Sequence, residues 1–152
     1  MKKKYFLVDE IKEEYSLFAL HTALDDFSLA FALNKHLKAN FTRIKENLNY
    51  NNSSFEIFNW ENVKNGIHCS LISNKQIIES KNKTNSNSLF NISEAKKVSL
   101  IKSLPDVDYL IKIKHGLDIN HTAKVLNKLP QVVLTYIVDD EEIKSKFNLI
   151  FD

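Results

Sequence analysis

His115, Asp118 and His121 recur at every third residue, and two imidazoles with a carboxylate form a legitimate donor set for a divalent cation. Asp118 also stands directly before an apolar helical pattern, where a carboxylate accepts hydrogen bonds from the first free amides. Capping is therefore its better reading. Asp139, Asp140, Glu141 and Glu142 form an acidic run behind an apolar strand pattern, a place where α/β proteins put magnesium ligands or catalytic acids. The same acids favour the first turn of a following helix that would carry Ile143, Phe147 and Ile150, and this reading is the stronger one. Cys69 alternates with Ile67 and Leu71 and so reads as a small hydrophobe, with no basic partner to lower its pKa. His68 points to the opposite strand face, and His21 and His36 have no identifiable partners. These readings assign no catalytic residue, no metal ligand and no cofactor.

Lys112 and Lys114 share one strand face, and Tyr50, Phe58 and Trp60 are aromatics that would stack bases if exposed beside them. Solvated lysines and core aromatics account for the same residues. The two glycines cannot build a GxxxxGK[ST] phosphate loop, a GxGxxG turn or a nucleophile elbow, which excludes nucleotide-dependent catalysis of those kinds.

The elements that must position these groups follow from periodicity. Tyr15 to Leu20 reads as extended, and Asp25 or Asp26 then caps a helix reaching about Lys38. Its stripe of Phe27, Ala30, Phe31, Leu33 and Leu37, flanked by Leu29 and Ala32, is wide enough to predict a largely buried helix. Phe41 to Leu48, Phe55 to Trp60 and Ile67 to Ser73 read as consecutive antiparallel strands, broken at Asn47–Ser54 and Asn62–Gly66. Ser80–Ser88 has no apolar periodicity and reads as a mobile loop. Ser93 to Ser103 reads as a short helix, Val107 to Ile113 as a strand, and Asp118 opens a helix closed by Pro130. Val132 to Val138 is apolar almost throughout, as expected of a central strand buried on both faces. Strand, helix and strand at this spacing predict a C-terminal β-α-β unit with a right-handed crossover. The expected fold class is α+β, a mixed, largely antiparallel sheet with helices packed mainly on one face.

With 152 residues, 43% hydrophobic and 26% charged, the chain has the length and composition of one folded domain. A net charge of +2, from 21 basic and 19 acidic residues, is below what a dedicated nucleic-acid binder carries. A single cysteine excludes an intramolecular disulfide and suits the reducing cytoplasm. The apolar run after Lys2–Lys4 is interrupted by Asp9 and Glu10, too early for an export signal, and no stretch approaches ~20 apolar residues. The expectation is a cytoplasmic protein without membrane insertion.

Ile101 to Tyr109, Ile-Lys-Ser-Leu-Pro-Asp-Val-Asp-Tyr, resembles the signature of the bacterial IPExxxVDY family. Val107, Asp108 and Tyr109 match its end and Ile101 its start, while Lys102 and Ser103 replace the Pro and Glu. Phe27 to Lys35, Phe55 to Phe58, Leu71 to Lys75 and Phe147 to Phe151 are similar too, so the resemblance runs from about Tyr15 to the C-terminus. It implies no assigned activity. It nominates Val107, Asp108 and Tyr109 as a binding motif or a fixed corner, with Val107 and Tyr109 toward the buried face and Asp108 away, and the corner is favoured. The expected function is a non-enzymatic interaction or regulatory protein with a protein partner. An RNA-associated or ribosome-associated factor is the second reading, and an enzyme or metabolite sensor the third.

Overall fold

The computed structural model describes residues 15–50, 53–80 and 94–139. Strand β1 (Ser16–Thr22) leads into helix α1 (Asp26–His36), which starts where the Asp25 carboxylate accepts the Ser28 amide at 2.7 Å. The helix stops at Leu37, and Lys38, with φ 52°, turns the chain away. Asn34 then clamps Phe41 in both directions, its amide donating to the Phe41 carbonyl and its oxygen accepting the Phe41 N–H at 2.7 Å. There follow β2 (Thr42–Arg43), β3 (Leu48–Tyr50), β4 (Ser53–Phe55), β5 (Ile57–Asn62), β6 (Ile67–Ser73), β7 (Lys75–Ser80) and β8 (Glu94–Ser99). Then β9 (Tyr109–His115), helix α2 (Ile119–Lys128) and β10 (Val132–Ile137) complete the described chain.

Six strands form one sheet in the order β10, β1, β9, β6, β5, β2, with antiparallel pairing throughout. Hairpins β3–β4 and β7–β8 are separate two-stranded sheets. Because alternate side chains leave opposite faces, the central strands supply two cores. On one face Phe18, Leu20, Cys69, Leu71, Ile111 and Ile113 pack with Leu29 and Leu33 of α1 and Leu126 of α2. On the other, Leu17, Ala19, Ile72 and Leu110 pack with Phe55, Leu100, Ile101 and Val107. Both described helices thus serve one face, and strands and the 100–107 segment cover the other.

The two glycines meet in space. Gly116, at φ +95°, sits so close to the β5–β6 turn that a Cβ there would lie 2.7 Å from the Gly66 carbonyl oxygen and the Ile67 Cα. That contact joins the end of β9 to the hairpin beside it.

Several elements differ from expectation. The segment read as a helix from Ser93 to Ser103 contains β8, because Lys96, Lys97 and Val98 pair with Ile78, Ile77 and Gln76 and this pairing outweighs local propensity. Phe41 to Leu48 is not one strand. Arg43 donates back to the Ile44 carbonyl and to Asn47 Oδ1, which bends the chain after β2, and Asn47–Ser54 holds hairpin β3–β4 rather than a simple loop. Val132–Val138 is not central: among the described strands β10 lies at the edge of the sheet, with Val133, Leu134 and Ile137 exposed. Strands β9 and β10 do not pair with each other, since β1 lies between them and opposes both. The 81–88 part of the expected loop, and residues 140–142 of the acidic run, lie outside the described residues.

Candidate functional site

The Val107, Asp108, Tyr109 motif sits where three parts of the chain cross. Its side chains do not follow simple strand alternation, because regular pairing begins only at Tyr109. Val107 therefore enters the core away from the helices and Tyr109 the helix-side core, where its hydroxyl donates to the Leu24 carbonyl at 2.9 Å. Burial pushes the Tyr109 hydroxyl pKa up, and the carboxylates of Asp26, Asp25 and Asp108 push it further the same way.

Asp108, between them, is a hub. One carboxylate oxygen accepts the Thr22 amide at 2.9 Å and the other lies 2.8 Å from the Lys75 ammonium. Its backbone N–H donates to Leu20 and its carbonyl accepts from the Asn74 amide. Partial burial pulls the Lys75 pKa down, but its hydrogen bond to Asp108 and the charges of Asp108 and Asp106 outweigh this and leave it raised.

Asn74, fully buried, completes the corner. Its side-chain amide donates to the carbonyls of Leu104 and Val107, both at 2.8 Å, and its oxygen accepts the Ile101 amide at 3.0 Å. The Leu71 to Lys75 and Ile101 to Tyr109 segments, both quoted in the family resemblance, are thus bonded directly to each other. The sequence reading left Asn74 without a role. A lone Asn between Ser and Lys resembles any turn residue until the carbonyls it serves, 30 and 33 residues away, are in place.

The other nominated groups are dispersed. Asp118 caps α2, accepting the Asn120 amide at 3.1 Å, while His115 ends β9 opposite His68 and His121 is exposed on α2. Among the described residues no three His, Cys, Asp or Glu side chains gather as a metal site. His68 instead pairs with Glu61 at 3.3 Å, and the His21 ring packs 5.9 Å from that of Tyr136. Cys69 is buried, which pushes its thiol up to about 12. Lys112 is 2% exposed, with its ammonium 4.9 Å from the Tyr15 ring centroid, and Phe58 and Trp60 are core residues. The lysine–aromatic stacking surface considered from sequence therefore does not form there.

What sequence reasoning placed in the core and the structure places outside it is one side of α1. Phe27 is 63% and Phe31 72% exposed, whereas Leu29 and Leu33 are fully buried. The signal was present in the spacing. Phe27 and Phe31 form one i,i+4 row, Leu29 and Leu33 another, and a two-residue offset turns a helix by about 200°, so both rows cannot face one core. The Phe27 ring touches Phe58 edge-on, with centroids 5.4 Å apart, while Phe31 has no such support. Together with Leu24, Ala32, Lys35, His36 and Gln131, the two rings line an open groove of about 440 Å³. Its lining combines the two rings with polar groups that include Lys35, His36 and Gln131, and among the described residues no helix is long and apolar enough to cross a membrane. Comparison of the chain with protein-family models, with curated proteins and with solved structures gave no match.

Proposed function

We propose that this chain is a non-enzymatic interaction or regulatory protein of the bacterial cytoplasm, and that the α1 groove is where it takes a protein partner. The observation that carries the reading is the exposed Phe27–Phe31 pair beside a groove, on a helix whose other row is fully buried. Large aromatics left in water beside a concavity are typical anchors for an apolar side chain of a partner. Lys35 in the groove lining favours a segment carrying acidic residues next to that anchor. Membership of the IPExxxVDY family belongs to the same proposal and rests on the sequence resemblance between Tyr15 and the C-terminus. On this reading the motif holds the sheet in shape, and β9, α2 and β10 form a split β-α-β unit around β1.

The test is purification of tagged protein from its host at low salt, with and without ribonuclease, in wild-type and Phe31→Ala forms. A stoichiometric protein that survives ribonuclease, is lost with Phe31→Ala and weakens with salt is the expected result. Retention of the same partner by Phe31→Ala would remove the groove, and enrichment abolished by ribonuclease would put RNA association in its place.

A further inference from the structure

The edge strand β10 carries a second surface, apart from the α1 groove. Its pairing with β1 fixes which backbone groups point outward. The Val138 amide donates to Leu17 at 2.8 Å, so in the alternation of an antiparallel ladder Tyr136 and Leu134 also turn their N–H and C=O toward β1. Thr135 and Ile137 turn theirs away, where no described strand lies beyond them. Regularity ends at Val133, where the register with β1 shifts, and charge begins at Asp139. The stretch that can accept another strand is therefore 134–138, which contains no charged residue and no proline. Natural edges of this kind are usually blunted by lysine, proline or a covering element.

We infer that this edge pairs with the same edge of a second copy of the chain, antiparallel, about a two-fold axis at Tyr136. That register makes full use of the regular stretch. Thr135 faces Ile137 of the second copy and Ile137 faces its Thr135, the two pairs exchanging four N–H to carbonyl hydrogen bonds through the groups that now point outward. Leu134 faces Val138, and the two Tyr136 side chains meet at the axis as a non-hydrogen-bonded pair, the closer kind. A perpendicular two-fold keeps matching faces together, so both copies carry their helices on one side of a continuous sheet. With no charge in the stretch, the axis opposes no like charges, and Leu134 and Ile137, each about half exposed, gain cover.

Two measurements test this on the full chain. Sedimentation of the wild type is expected at twice the 17.6 kDa chain mass, with Ile137→Lys shifting it to a folded monomer, as checked by circular dichroism. Under mild oxidation Tyr136→Cys should form a covalent dimer while Leu134→Cys, displaced from the axis, should not. Cys69 is buried and does not compete. A monomeric wild type overturns the inference, as does a dimer indifferent to Ile137→Lys or cross-linked better through Leu134→Cys. A monomer whose Thr135 and Ile137 amides are protected from hydrogen exchange also overturns it, by assigning the edge to another occupant. None of these outcomes touches the Phe31 result, so this inference and the proposed groove fail separately.

Discussion

Asp108 ties three parts of the chain together through one carboxylate and its own backbone. Its two oxygens answer to partners of different kinds, a part-buried backbone amide at Thr22 and the partly buried Lys75 ammonium. Replacing it by Ala leaves the Thr22 amide without an acceptor, and unfolding in urea should show a loss of about 1–3 kcal/mol. Asp108→Asn keeps an acceptor for Thr22 and loses only the ion pair, a smaller cost of about 1 kcal/mol for a partly exposed pair. Equal losses from the two variants would mean that Lys75, not Thr22, is the partner that matters. Cys69 makes the complementary point about reactivity. Burial pushes its thiol up to about 12 from the ordinary 9.0, so well below pH 9 the thiol is neutral in both folded and unfolded chains and contributes no pH dependence. Above that the unfolded chain ionises first, and stability should fall as pH rises from about 9 toward 12. The Tyr109 hydroxyl, also raised, adds to the slope at its upper end. Thermal melts across this range should show the decline, and a shallower decline in Cys69→Ala would assign the thiol's share.

At the scale of elements, the sequence was readable wherever local chemistry decides and misleading wherever a partner strand decides. The start of α1 was legible because Asp25 caps it through residues three apart, and the Asn62–Gly66 turn because Gly66 takes a positive φ and Asn62 accepts the Asn65 amide. The β8 segment was not, because Glu94 to Ser99 has no clear two-residue alternation, and only its ladder with β7 makes it a strand. The misreading of β10 has a different cause. A run of Val, Val, Leu, Thr, Tyr and Ile describes a strand buried on both faces and equally a strand at an edge awaiting a neighbour, and composition cannot separate the two. For α1 the information lies in the spacing: the broad apolar stripe reads as one surface although its rows point in opposite directions. Of the candidate sites, Val107, Asp108 and Tyr109 were named from sequence. Asn74 and the groove required the positions of residues far along the chain.

At the scale of the molecule, the consequence of a six-stranded sheet covered on both faces is that two cores share one wall. Each central strand contributes to both, β9 through Tyr109, Ile111 and Ile113 on the helix side and Leu110 on the other. Neither core can lose its packing without loosening strands that the other needs, so the described chain should unfold in one transition despite having two separate hydrophobic clusters. Leu33 in the helix-side core and Ile101 in the opposite one are both fully buried, and the sheet stands between the clusters to which they belong. Truncation of either to Ala should cost about 2–5 kcal/mol, depending on how far the site collapses. Because the two side chains share no partner, the double variant should lose the sum to within about 0.5 kcal/mol, with a single coincident transition by fluorescence and circular dichroism. Trp60 lies in the helix-side core and makes the comparison direct, since its fluorescence reports that core while circular dichroism reports the whole sheet. If Ile101→Ala melted secondary structure before Trp60 responded, the sheet would not be coupling the cores. The cover formed by Leu100, Ile101 and Val107 would then be a separately unfolding layer.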